Sequence, residues 1–123
     1  MSRASGVLFW VMTFFCFAWR ADAQDSGRFK RVRATDISGV VAGRTLGDDA
    51  HWSYHFNADG SVESMDLGRT KRGVWRIVRG ELCLDFKERG KTVSDCYELW
   101  VAGSNVRFMR DGVPVIEGSI LRD

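Results

Sequence analysis

From Arg44 onward, apolar side chains tend to recur at every second position of the chain. Residues 51–57 place Trp52, Tyr54 and Phe56 on one side of a strand, and Ala58-Asp59-Gly60 then turns the chain. Residues 61–67 return. Residues 73–78 follow, with Trp75 and Ile77 on one side. Arg79-Gly80 leads into residues 81–87, where Leu82, Leu84 and Phe86 share a side, and Arg89-Gly90 leads into residues 92–101 with Val93, Tyr97, Leu99 and Val101 together. Gly103-Ser104 and Asp111-Gly112 flank a strand over residues 106–109, and a last strand runs around Val115 and Ile116. A period of two broken by glycine-containing turns predicts short antiparallel strands with one buried face. Before them the period differs. Ile37, Val40 and Val41 have helical spacing, with Thr35 as the expected cap, Asp36 in the first turn and Gly43 as the stop. The predicted fold is all-β: an up-and-down meander forming a small barrel or strongly curved sheet, with a short N-terminal helix.

Register tests this reading. If Arg79-Gly80, Arg89-Gly90 and Gly103-Ser104 are each two-residue turns, Ile77 faces Leu82, Phe86 faces Val93 and Leu99 faces Phe108. All three registers put the large apolar side chains on one face, and a one-residue slip would scatter them. The middle register sets Cys83 opposite Cys96 on the outer face, beside Arg76, Asp85 and Ser94. Directly opposed strand residues are close enough for a disulfide. Asp95, opposite Leu84, breaks the pattern, and a bulge near Ser94 or a position at the rim would accommodate it. Phe56-Asn57-Ala58-Asp59-Gly60 and Phe108-Met109-Arg110-Asp111-Gly112 share Phe-x-x-Asp-Gly, expected as a turn closed by a left-handed glycine with a bulge.

The first residues change the picture of where the chain resides. Arg3 precedes an uncharged apolar run from Gly6 to Trp19, and Ala21-Asp22-Ala23 follows as a small-residue cleavage site. That order describes a secretory signal peptide over residues 1–23, with an uncleaved anchor as the alternative. The apolar run is shorter than the roughly 18 residues of a membrane-spanning helix, so no stable membrane anchor is expected after cleavage. Residues 24–34 are expected as a flexible arm, and 35–123 as one β-domain. Loss of Arg3, Arg20 and Asp22 lowers the formal charge from +2 to near neutrality, which argues against nucleic-acid binding. Cys83 and Cys96 are the cysteines left after processing, so an oxidised pair in the periplasm or outside the cell is expected.

Motifs for catalysis are lacking. His51 and His55 have no His-Glu-x-x-His context, and on a strand they stand too far apart to chelate one ion. Gly90-Lys91-Thr92 lacks the upstream glycine and the helix of a phosphate loop. Asp48-Asp49 has the composition of a cation site, but turn acids more often bond the local backbone. No cofactor, metal or catalytic residue is expected. Two groups of residues suit binding instead. Trp100 with Arg107 lies on the outer face as a candidate anchor for a protein partner. Tyr97 and Arg110 lie on the inner face, where a mouth of the barrel would open to a small apolar ligand.

Gly43-Arg44-Thr45-Leu46, Tyr54-His55-Phe56 with Asp59-Gly60, Gly73-Val74-Trp75, Leu82-Cys83-Leu84 and Cys96-Tyr97 together resemble a family of small exported proteobacterial β-sheet domains of unknown function. The resemblance implies a periplasmic or secreted β-domain and brings no catalytic residues. Gly73-Val74-Trp75 also resembles the Gly-x-Trp of lipocalin-like barrels, which implies a small-ligand carrier. The expected function is a non-enzymatic exported binding domain. The alternatives are a carrier of lipocalin-like type and, with least support, an envelope enzyme.

Overall fold

A computed structural model describes Gly6 and residues 28–122. The expected signal peptide, and the arm up to residue 27, lie outside the described residues. The element order is β1 (Lys30–Arg31), α1 (Ala34–Val41), β2 (Arg44–Gly47), β3 (Trp52–Phe56), β4 (Ser61–Asp66), β5 (Arg69–Val78), β6 (Glu81–Glu88), β7 (Lys91–Ala102), β8 (Asn105–Arg110) and β9 (Val113–Leu121). Strands β2 to β9 form a closed eight-stranded antiparallel barrel. Consecutive strands pair throughout, and β2 closes the ring by pairing with β9, Leu46 opposite Ile120.

The three registers argued from the alternation are those observed. Ile77 faces Leu82, Phe86 faces Val93 and Leu99 faces Phe108. The cause is a repeated turn chemistry. Arg79-Gly80 and Arg89-Gly90 both have positive φ at each residue, the backbone whose twist matches that of a two-stranded ribbon. Leu67-Gly68 and Asp111-Gly112 share it. The Leu67 turn extends β5 back to Arg69, four residues before its expected start. The two Phe-x-x-Asp-Gly segments differ. Around Asp59 only Gly60 is left-handed, whereas Asp111-Gly112 is a tight two-residue turn with Arg110 opposite Val113. The irregularity in that hairpin falls at Phe108 and Met109, where Val115 is the extra residue.

Cys83 and Cys96 are disulfide-bonded with Cα atoms 4.0 Å apart. Cys83 is fully buried between its register partners Arg76 and Cys96, on the side of the sheet where Arg76 pairs with Asp85.

Helix α1 begins at Ala34 with Arg33 as its cap, so Thr35 lies within the helix and does not cap it. Arg33 Nε reaches Asp36 Oδ2 at 3.2 Å, and Asp36 complements the positive end of the helix. Gly43 stops it with φ +74°, as expected. The helix plugs the end of the barrel where β3 finishes. Ile37 and Val41 are fully buried there with Phe56, Val62, Trp75, Leu82, Leu99 and Val106. The arm also differs from expectation near its end. Lys30 and Arg31 pair with Val101 and Trp100 as β1, covering the edge of β7 beyond the start of β6.

Candidate functional site

Inward positions change character from one end of the barrel to the other. At the plugged end they are aliphatic or aromatic and buried. At the opposite end they are Trp52, Tyr54, Ser64, Asp66, Lys71, Phe86 and Asp95. Polar inward residues do not pack to close the interior, so this end is open. Two lobes result. One, of about 280 Å³, is bordered by Tyr54, Phe86, Tyr97, Lys71, Glu88 and Asp95 among others. The second, of about 360 Å³, is bordered by Trp52, Tyr54, Val115, Ile116 and Glu117. Tyr54, Ser64 and Asp66 border both.

The walls are aromatic. Tyr54 lies 5.5 Å from Trp52, 6.4 Å from Phe86 and 6.1 Å from Phe108, centroid to centroid. Tyr97 packs edge-on to Phe108 at 5.6 Å. Trp52 fits because Gly118 has no side chain: a Cβ there would stand 2.7 Å from Trp52 Cζ2 and 2.6 Å from the Gly47 carbonyl oxygen. Burial pushes the Tyr54 phenol up to about 12, and the nearby charge of Asp66 adds to the effect. Tyr97 is raised as well, chiefly by burial.

The mouth charges are largely matched. Lys71 Nζ is 2.8 Å from Glu88 Oε1, and Arg110 Nη2 is 3.1 Å from Asp95 Oδ1. The guanidinium of Arg110 also lies 4.7 Å over the ring of Tyr97. Tyr97 and Arg110, singled out in the sequence, are therefore in contact, and Asp95 is a rim residue with an inward partner. That accounts for its break in the alternation without a bulge at Ser94, since the register there is regular. Asp66, Arg69 and Lys71 went unrecognised. Polar residues at inward positions erase the alternation that marks a strand, and Leu67 is not a usual turn residue.

The outer-face pair occupies another region. Trp100 is half-buried, with Arg31 and Arg107 as its register partners on either side. Its indole N–H donates to Glu98 Oε2 at 3.1 Å, and Glu98 also pairs with Arg31 at 3.0 Å. Arg107 pairs with Glu117 and lies 3.9 Å over the ring of Phe29. The chain's own arm thus occupies part of this patch. The buried side of the helix, Ile37 and Val41, joins the core cluster, which does not include Trp100.

Asp48 braces the connection between β2 and β3. Its carboxylate accepts hydrogen bonds from the backbone N–H of Ala50, His51 and Trp52, which holds it well below the usual carboxylate range. His51 Nδ1 contacts Asp48 at 2.9 Å, and His55 Nδ1 contacts the Thr45 hydroxyl at 2.7 Å. Neither histidine borders the two lobes of the mouth. Among the described residues, no group of three or more His, Cys, Asp or Glu side chains is placed to hold a metal ion, and no helix is long and apolar enough to cross a membrane. No family model, curated protein or solved structure matches this chain.

Proposed function

We propose that this chain is an exported, non-enzymatic binding domain that holds a small molecule in the open mouth of its barrel. The observation that carries this reading is the asymmetry of the interior. One end is packed and plugged by α1, while the other keeps an aromatic-walled cavity of about 280 Å³ beside a second lobe. A water molecule's share of liquid volume is about 30 Å³, so the space exceeds that of a few waters. Its size is near the lower bound of about 300 Å³ for small-molecule sites. The composition bears on what would bind: Tyr54, Phe86 and Tyr97 supply contact area, and the charged side chains among them supply polar contacts that orient a ligand. Exposed Leu67, Val93, Val113 and Val115 stand at the same end, and a local gathering of exposed apolar side chains is a feature of interaction sites. Export is supported by the leader-like sequence and by the Cys83–Cys96 bond.

The outer face around Trp100 and Arg107 is the second reading, favoured by a partly exposed indole flanked by two guanidinium groups. It ranks lower because Phe29, Glu98 and Glu117 already engage those groups. Titration with phenol, followed by proton resonances of aromatic side chains, separates the two. Saturable shifts of the Tyr54 and Tyr97 rings are expected. Shifts confined to Trp100, with both tyrosines silent, would overturn the mouth reading in favour of the outer face.

A further inference from the structure

The two lobes of the mouth meet at Asp66. Trp52 is its direct cross-strand partner, and Tyr54 is the next inward residue along β3. The Trp52 and Tyr54 rings are tilted by 56°, so they form a corner and not a stack. Asp66, Trp52 and Tyr54 all border the lobe of about 360 Å³. The other two inward acids of the mouth have cationic partners: Lys71 for Glu88 and Arg110 for Asp95. Among the described residues Asp66 has no ion pair, and it is exposed to the lobe. Arg69, its register partner across the Leu67 turn, makes no ion pair with it.

An unpaired carboxylate beside two aromatic side chains is an environment that favours a cation. The carboxylate supplies Coulombic attraction and the ring faces supply the negative side of their quadrupoles. An alkylated ammonium suits it better than a metal ion, because it is weakly hydrated and presents methyl groups to the rings. The neighbouring lobe is different. Its acids Glu88 and Asp95 are already engaged by Lys71 and Arg110, so neither carboxylate is left for a ligand cation. Building on the mouth as the binding site, we propose that the corner of Trp52, Tyr54 and Asp66 binds the alkylammonium head of a small ligand, with its remainder against Val115 and Ile116.

Calorimetric titration of the oxidised protein with choline chloride, referenced to sodium chloride at equal ionic strength, tests this. Saturable binding is expected. Asp66→Asn, which removes the charge and keeps the shape at an exposed position, is expected to weaken it about tenfold. Glu63→Gln, exposed on the outward side of β4 and outside both lobes, is expected to leave it unchanged. Trp52→Phe, which keeps an aromatic wall, is expected to weaken binding by a smaller factor. Absence of saturable binding overturns the proposal, as does an Asp66→Asn protein that is folded and binds choline as the parent does. If phenol moves the Tyr54 and Tyr97 resonances and choline does not bind, the ammonium assignment fails and the mouth reading stands. If neither probe acts at the mouth, the mouth reading fails as well.

Discussion

Tyr54 is the residue on which the two halves of the molecule meet. Its ring packs against the core, and its side chain borders both lobes of the charged mouth. The folded state holds its phenol at about 12, above an ordinary value of 10.0, chiefly through burial. A raised value means that the folded protein retains this proton more tightly than the unfolded chain. The associated stability is full below pH about 10 and is lost as pH rises towards about 12. The chain has two tyrosines, Tyr54 and Tyr97, so a phenolate absorbance titration resolves both. Both are expected to ionise above the ordinary range, with Tyr54 near 12, and a thermal midpoint that falls over the same interval. A Tyr54 transition at 10 would contradict the half-buried placement. Tyr97 and Arg110 were legible as mouth residues because they continue the inward series of Leu99 and Phe108. Asp66 was not, because a polar inward residue at a strand end carries the same pattern as a loop.

Strand pairs were the most legible elements, for a local reason. In the hairpins of Arg79-Gly80 and Arg89-Gly90, turn length and alternation are independent constraints that agree on one register. The same constraint positions Cys83 against Cys96, so the bond closes strands that Leu84, Phe86 and Tyr97 already align. In the chain-entropy account a link across 13 residues contributes about 3 kcal/mol, less where the hairpin is partly formed without it. Replacing both cysteines by alanine is expected to lower the unfolding free energy, read from urea titration, by at most that amount and to preserve the barrel's circular dichroism. Unreduced exported protein is expected to show no free thiol from this pair, and two titratable thiols would refute the oxidised state. The Phe-x-x-Asp-Gly echo shows the limit of such motifs. Asp-Gly adopts a wider turn after Ala58 and a tight one after Arg110, and strand register decides between them.

At the scale of the whole barrel, two features were not legible. Closure of β2 on β9 joins residues far apart in sequence, and no local pattern encodes that pairing. The position of α1 was equally hidden. Its apolar spacing marks a buried side but not what buries it. The structure sets Ile37 and Val41 into one end of the core. Ile37→Ala there removes a fully buried side chain and is expected to cost about 2–5 kcal/mol, read from urea unfolding. Phenol binding at the far end is expected to persist in the folded fraction. Loss of that binding without loss of stability would show that the plug shapes the mouth, contrary to the separation described above.

The connections around the mouth have a kinetic consequence. Three of them, Leu67-Gly68, Arg89-Gly90 and Asp111-Gly112, are tight turns, and the fourth is fastened by Asp48. Among the described residues no loop is long enough to fold over a bound molecule. Entry of a ligand into the proposed site then requires no rearrangement of these connections. For the small-molecule binding proposed above, exchange fast enough to follow changes in ligand concentration is therefore expected.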